Sequence, residues 1–166
     1  MKPKTILVVF LVAFACAQQQ SSSWKEYVFP DDGFAITVPE APKQHADRTN
    51  TEFWVYSISL PGTAILNLRV SHQKRDCTAM LAQLRDGATR GESGIDPSSV
   101  KTPSIDGNPG VEFEWLSPLH TNFDRYYCVN GKFYMFSASW PKGQSRPSTI
   151  ARVESSFRLL KVGSAK

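Results

Sequence analysis

Apolar and polar positions alternate along most of this chain, which is the mark of half-buried strands. Trp24 to Val28 reads as a short strand, with Trp24, Glu26 and Val28 on one side and Lys25 and Tyr27 on the other. Pro30-Asp31-Asp32-Gly33 is a turn, because proline presets φ and glycine accepts φ > 0. Phe34, Ile36 and Val38 then alternate with Ala35 and Thr37 until Pro39 and Pro42, and residues 40–50 are polar and loop-like. Phe53 to Leu60 places Trp54, Tyr56, Ile58 and Leu60 on one face. Beyond Pro61-Gly62, Ala64 to Val70 places Leu66, Leu68 and Val70 opposite Ile65, Asn67 and Arg69, so the two segments predict a hairpin.

The period then changes. Asp76 is a good N-cap, and Cys77, Met80, Leu81 and Leu84 fall at i, i+3, i+4 and i+7, an amphipathic helical stripe. Residues 91–99 are rich in Gly, Ser and Pro and predict a mobile loop. Val100 to Ile105 is a short strand, residues 106–110 a tight turn, and Val111, Phe113 and Trp115 alternate with Glu112 and Glu114 until Ser117-Pro118 breaks the strand. The strongest local signal is Asp124 to Val129, Asn130-Gly131, and Lys132 to Trp140. Asn-Gly between two aromatic-rich strands favours a two-residue type I′ turn, which sets Cys128 against Phe133 and Tyr127 against Tyr134. Ser145-Arg146-Pro147 opens a last helix with Ile150, Val153 and Phe157 as its buried stripe. Leu159 and Leu160 continue into a short packed tail, and residues 162–166 are expected to be disordered.

Residues 1–17 follow another pattern. Lys2 and Lys4 precede an unbroken apolar run from Ile6 to Phe14, then Ala15-Cys16-Ala17, then a polar linker over residues 18–23. That is the layout of a secretory signal peptide, and the apolar run is roughly half of the ~20 residues a spanning helix needs. The expectation is an exported protein, periplasmic or secreted, with no transmembrane span after cleavage. Two processing routes stay open. One is cleavage after Ala17. The other is lipidation of Cys16, since Ala15-Cys16 also fits a lipoprotein ending, and this would hold the domain at a membrane.

Charge and cysteines sharpen this picture. Removing residues 1–17 lowers the formal net charge from +4 to +2, and no Lys/Arg cluster remains to mark a nucleic-acid footprint. Residues 24–161 are long enough for one domain with its own core. Two cysteines remain there, Cys77 and Cys128. They are either buried thiols or one disulfide joining helix to sheet, for which the Cα atoms must lie within ~4.4–6.8 Å.

No motif forces an enzyme reading. Gly91-Glu92-Ser93-Gly94 is one residue short of a nucleophile elbow, and Gly131-Lys132 lacks the earlier glycine of a phosphate loop. There is no His-Glu-x-x-His and no Cys-x-x-Cys, so no catalytic residue, metal ligand set or cofactor site is expected. His45, His72 and His120 lie far apart and read as surface residues. His72 with Asp76, or His120 with Asp124, supplies at most a ligand fragment. Asp31-Asp32 is explained by turn chemistry, and Glu112 and Glu114 by a solvated strand face. The rings of Tyr126, Tyr127, Phe133, Tyr134, Phe136 and Trp140 are numerous for one hairpin. Core packing is one reading of them; a binding surface carried by Tyr126, Tyr127, Tyr134 and Trp140 is the other.

Four phrases carry a resemblance: Tyr27 through Asp32-Gly33-Phe34-Ala35-Ile36 to Pro39; Asp106-Gly107-Asn108-Pro109-Gly110-Val111-Glu112; Tyr126 through Asn130-Gly131-Lys132-Phe133-Tyr134; and Ser155-Ser156-Phe157-Arg158-Leu159-Leu160. Together they resemble small exported bacterial proteins of the PsbP-like fold, over about residues 24–161. That fold is shared with an extrinsic subunit of photosystem II and a Ran-binding nuclear protein. The resemblance implies an α+β domain, an antiparallel β-sheet flanked by two main helices in an α/β/α sandwich. It also implies a binding or assembly role toward a protein or envelope component. A carrier of a small apolar ligand and, behind it, a hydrolase built on Glu112, Glu114 or a histidine are the competing readings.

Overall fold

The computed structural model describes residues 23–60, 65–71, 73 and 76–161. The expected signal peptide with Cys16, most of the polar linker, the Pro61-Gly62 turn, His72 and the tail over residues 162–166 lie outside the described residues.

Ten strands and two α-helices are found among the described residues: β1 (Lys25–Phe29), β2 (Phe34–Val38), β3 (Lys43–Ala46), β4 (Phe53–Ser59), β5 (Ile65–Ser71), α1 (Thr78–Thr89), β6 (Ser104–Ile105), β7 (Asn108–Leu116), β8 (His120–Val129), β9 (Lys132–Pro141), α2 (Ser148–Ser156) and β10 (Arg158–Leu159). The strands form two antiparallel sheets, a small one in the order β1-β2-β10 and a seven-stranded one in the order β3-β4-β5-β9-β8-β7-β6. The expected α+β sandwich is present, with the first two strands set apart in the small sheet. That sheet is closed by Arg158 and Leu159, which lie opposite Ala35 and Phe34.

The large sheet buries two unlike faces. On the first, Leu66, Leu68 and Val70 of β5 meet Phe136, Tyr134 and Trp140 of β9, and the small sheet and α2 pack over them through Phe34, Ile36, Ile150, Val153 and Phe157. On the second face, α1 lays Cys77 and Leu81 against Val111, Tyr126 and Phe133. The helical stripe read from the sequence therefore packs as expected. Asp76 sits one residue outside the cap position, held by Cys77, and its carboxylate accepts the Thr78 N–H at 3.0 Å. Sulfur atoms of Cys77 and Cys128 are placed as a disulfide, with Cα atoms 5.6 Å apart.

Asn130 and Gly131 adopt φ of 52° and 78°, as a type I′ turn requires. Tyr127 pairs with Tyr134 and Cys128 with Phe133, as the turn chemistry predicts.

Three local expectations need correction. Residues 43–46 are not loop but the edge strand β3, exposed throughout and paired with residues 54–57 of β4. A polar, unalternating Lys-Gln-His-Ala carries no strand signal of its own; the neighbouring strand imposes the conformation. Residues 91–99 are laid along β7 rather than left as a mobile loop. Two short 3-10 turns, Glu92–Gly94 and Pro97–Ser99, flank an Asp96 N–H bond to the Glu114 carbonyl at 3.0 Å, and Ile95 bridges to Trp115. The tight turn ends at Gly107, so Gly110 belongs to β7, opposite Tyr127. A Cβ there would stand 2.5 Å from the Tyr126 carbonyl, so only glycine fits.

Candidate functional site

The aromatic surface proposed from the sequence does not exist as one face. Alternation sends Tyr127, Tyr134 and Trp140 to the first face of the large sheet and Tyr126 to the second, and all four are buried. Tyr134 donates its hydroxyl to the Asp32 carbonyl at 2.8 Å, and Trp140 donates its indole N–H to the Gln144 carbonyl at 3.1 Å. Burial, with the nearby Asp32 charge, pushes the Tyr134 phenol up to about 12. These rings are core, and the polar tips of Tyr134 and Trp140 are satisfied.

Glu112 is also not on a solvated face. It is 5% exposed and accepts from Arg125 Nε at 2.7 Å, with Lys101 Nζ at 3.3 Å. Arg125 reaches Glu154 of α2 at 3.3 Å, and Glu154 is paired again with Arg146. Burial alone would lower the Arg125 guanidinium pKa; Glu154 and Glu112 overcome this and raise it. Burial raises the Glu154 carboxyl pKa, against the pull of Arg125 and Arg146. Arg146 also stacks 3.8 Å above the Phe123 ring. This network bolts α2 to β7 and β8. Breaking one member strands a buried charge, which is why such groups occur in sets. Glu112 is thereby committed to ion pairs, while Glu114 lies half-buried beside it. His45 is on the edge strand β3 and His120 opens β8, with three strands between them in the sheet. Among the described residues, no group of three or more His, Cys, Asp or Glu is disposed to hold a metal ion.

Helix α1 covers only one end of the second face. Beyond it, cross-strand register lines up Ser57, Asn67, Ser137, Asp124 and Phe113 in one row across β4, β5, β9, β8 and β7. The next row holds Ser139, Asn122 and Trp115, and the row toward the helix holds Val55, Arg69, Met135 and Tyr126. Asn67, Arg69, Trp115, Asn122, Asp124, Met135, Ser137 and Ser139 line a groove of about 330 Å³, at the lower end of the range for ligand pockets.

The groove is polar and internally braced. Asp124 is 8% exposed; one oxygen accepts the Trp115 indole N–H at 2.8 Å and the other the Ser137 hydroxyl at 2.6 Å. Burial raises its pKa, opposed by those two bonds and by the Arg69 charge. Arg69 donates from Nε to Asp47 at 3.0 Å and from Nη1 to Ser137 at 3.4 Å. Asp47 is held down to about 2, first by the Thr49 hydroxyl, then by the N–H groups of Thr49 and Asn50 and by Arg69, against its own burial. Ser57 donates to Asn67 at 2.9 Å and meets His45 Nε2 at 3.1 Å. Every charge in the groove thus has a partner in the protein.

A larger cleft of about 410 Å³ opens at one end of the sandwich, between the turns at Asp31, Asp106 and Asn130 and the tail at Leu160. Its polar groups serve the turns. Lys132 donates to the Asp31 carbonyl at 2.6 Å and stands 3.6 Å from the Asp32 carboxylate, which also accepts the Tyr56 hydroxyl. Side chains on regular strands hold a binding geometry better than turns do, so the groove is the stronger candidate.

Sequence reasoning noted Asn67 and Arg69 only as polar positions on a strand face. The available signal was polar residues on alternate positions of strands that are central to the sheet. Asn67 and Arg69, Ser137 and Ser139, and Asn122 and Asp124 all show it.

Two sheets, a helix on the outer face of the larger one and a second helix bolted to its inner face make this an α+β domain of the PsbP-like fold. The fold matches the solution structure of cyanobacterial PsbP (CyanoP) from Synechocystis, with a TM-score of 0.58 and 13% identity over 87% of this chain and 97% of that one. A crystal structure from Bacteroides thetaiotaomicron matches with a TM-score of 0.52 and 11% identity, over 86% of this chain and 50% of that one. No protein-family model and no curated protein matches the sequence.

Proposed function

We propose that this chain is an exported, non-enzymatic binding or assembly domain that engages a protein or envelope component through the groove on the second face of its large sheet. The observation that carries this reading is the open row Ser57, Asn67, Ser137 and Asp124 on central strands whose opposite face is packed core. Polar side chains fixed by strand geometry and by each other are pre-organised, which lowers the entropy cost of association. Cys77 and Cys128 at disulfide distance support an oxidising compartment, and export through the expected signal would supply one. Lipidation of Cys16 is the alternative form of the same reading. The apolar-carrier reading is weaker, because Tyr127, Tyr134 and Trp140 fill the core instead of lining a cavity.

The experiment is site-directed photo-crosslinking in an envelope extract. A benzophenone side chain at Ser139, inside the groove, is expected to capture a discrete adduct. The same probe at Lys25, on the exposed edge of the small sheet, is expected to capture none. Equal capture from both positions, or capture from Lys25 alone, overturns the proposal.

A further inference from the structure

We propose that the groove is a subsite for a neutral saccharide, with the Trp115 indole as its stacking platform. This rests on the binding role proposed above and names its ligand. Three observations carry it.

First, the charges are spent. Arg69 is paired with Asp47 at 3.0 Å, and both Asp124 oxygens accept protein donors. An anion would meet the Asp124 carboxylate beside Arg69, and a cation would have to compete with Arg69 for Asp47 and with Trp115 and Ser137 for Asp124. A neutral ligand leaves these bonds intact. Second, the groups that line the remaining wall are amides and a hydroxyl, those of Asn67, Asn122 and Ser139, while the Ser137 hydroxyl is already donated to Asp124. Planar amides and hydroxyls both donate and accept, as the hydroxyls of a sugar do. Third, Trp115 is half-buried and lines the groove, and its N–H is tied to Asp124, which fixes the ring plane. A locked aromatic ring offers a large apolar contact with little rotamer entropy to lose. The C–H face of a pyranose is the complementary surface, and its ring-edge hydroxyls would then meet the asparagines. A peptide ligand would instead seek unpaired backbone edges or a deep apolar anchor pocket. The groove lies on central strands whose backbone bonds are already used within the sheet.

The test titrates the purified protein with chitotetraose, cellotetraose and maltotetraose. Calorimetric heat and the side-chain amide NMR shifts of Asn67 and Asn122 are recorded together. At least one saccharide is expected to saturate with a Kd between about 10 μM and 1 mM. The shifts should move with the same Kd. Asn122→Ala should weaken binding about tenfold, the scale of one hydrogen-bonding side chain. Trp115→Ala should abolish it. If Trp115→Ala does not fold, Trp115→Phe keeps a ring while dropping the N–H, and should bind more weakly than the wild type. No saturable heat and no shift up to about 10 mM, or binding indifferent to Trp115 and Asn122, overturns the proposal. A protein adduct at Ser139 without saccharide binding overturns the saccharide and leaves the docking role standing. The absence of both overturns the two together.

Discussion

Asp47 is the residue whose environment makes the clearest statement about pH. Its folded pKa is about 2, against an ordinary value near 3.8, because the native carboxylate accepts from the Thr49 side chain, two backbone N–H groups and Arg69. A depressed acid contributes stability that is present above its unfolded pKa and is lost as pH falls through the folded one. The step should therefore lie between about pH 4 and pH 2, with a size on the order of 1–2 kcal/mol after allowance for solvent near the groove rim. Urea unfolding of wild type and Asp47→Asn should show a gap at pH 5 that shrinks to about a third by pH 2.5 and closes only below pH 2. Parallel pH slopes for the two proteins would refute this role. None of it was legible in the sequence, where Asp47 sits in a polar stretch that reads as loop. The same holds for Glu112. Alternation put it on a polar face, but only the fold brings Arg125 and Glu154 to it, across 13 and 42 residues of chain.

Among the elements, the hairpin β8–β9 was legible residue by residue, because a two-residue Asn-Gly turn fixes register locally. Helix α1 was legible as an apolar stripe, but its partner on the sheet was not. The covalent tie between them could be placed only once the fold set the Cα separation. The cysteines are 51 residues apart in sequence, and closing a loop of that length removes about 4 kcal/mol of chain entropy from the unfolded state. The Cys77→Ala, Cys128→Ala double variant should lose about that much unfolding free energy, read as a lower denaturant midpoint. A reductant should lower the wild type to the same midpoint. If the wild-type midpoint is unmoved by reductant, the cysteines act as buried thiols. Strand β3 marks the opposite limit. Its four residues are exposed and three of them are polar, so nothing in their pattern distinguishes strand from loop. Their lysine and histidine suit an edge that must stay soluble.

For the whole molecule, the sequence showed the order of elements but not the division into two sheets. That division turns on Phe157. It is 8% exposed and packs on Phe34 of the small sheet and on Tyr134 and Phe136 of the large one, with ring centroids 5.7, 5.8 and 4.7 Å away. Phe157→Ala should cost about 3–5 kcal/mol, a large part of the stability of a domain this size. Calorimetry should show one cooperative transition at a much lower temperature. Two separate transitions in the wild type would show instead that the sheets fold independently, contrary to this packing.

Strand β2 is paired on one side with its neighbour β1 and on the other with β10, more than a hundred residues downstream. A chain that is delivered end first, from a ribosome or through a narrow pore, cannot complete that three-stranded layer until Arg158 and Leu159 have emerged. Until then Phe34 and Ile36 lack part of their cover. Topology alone therefore makes completion of the small sheet wait for β10.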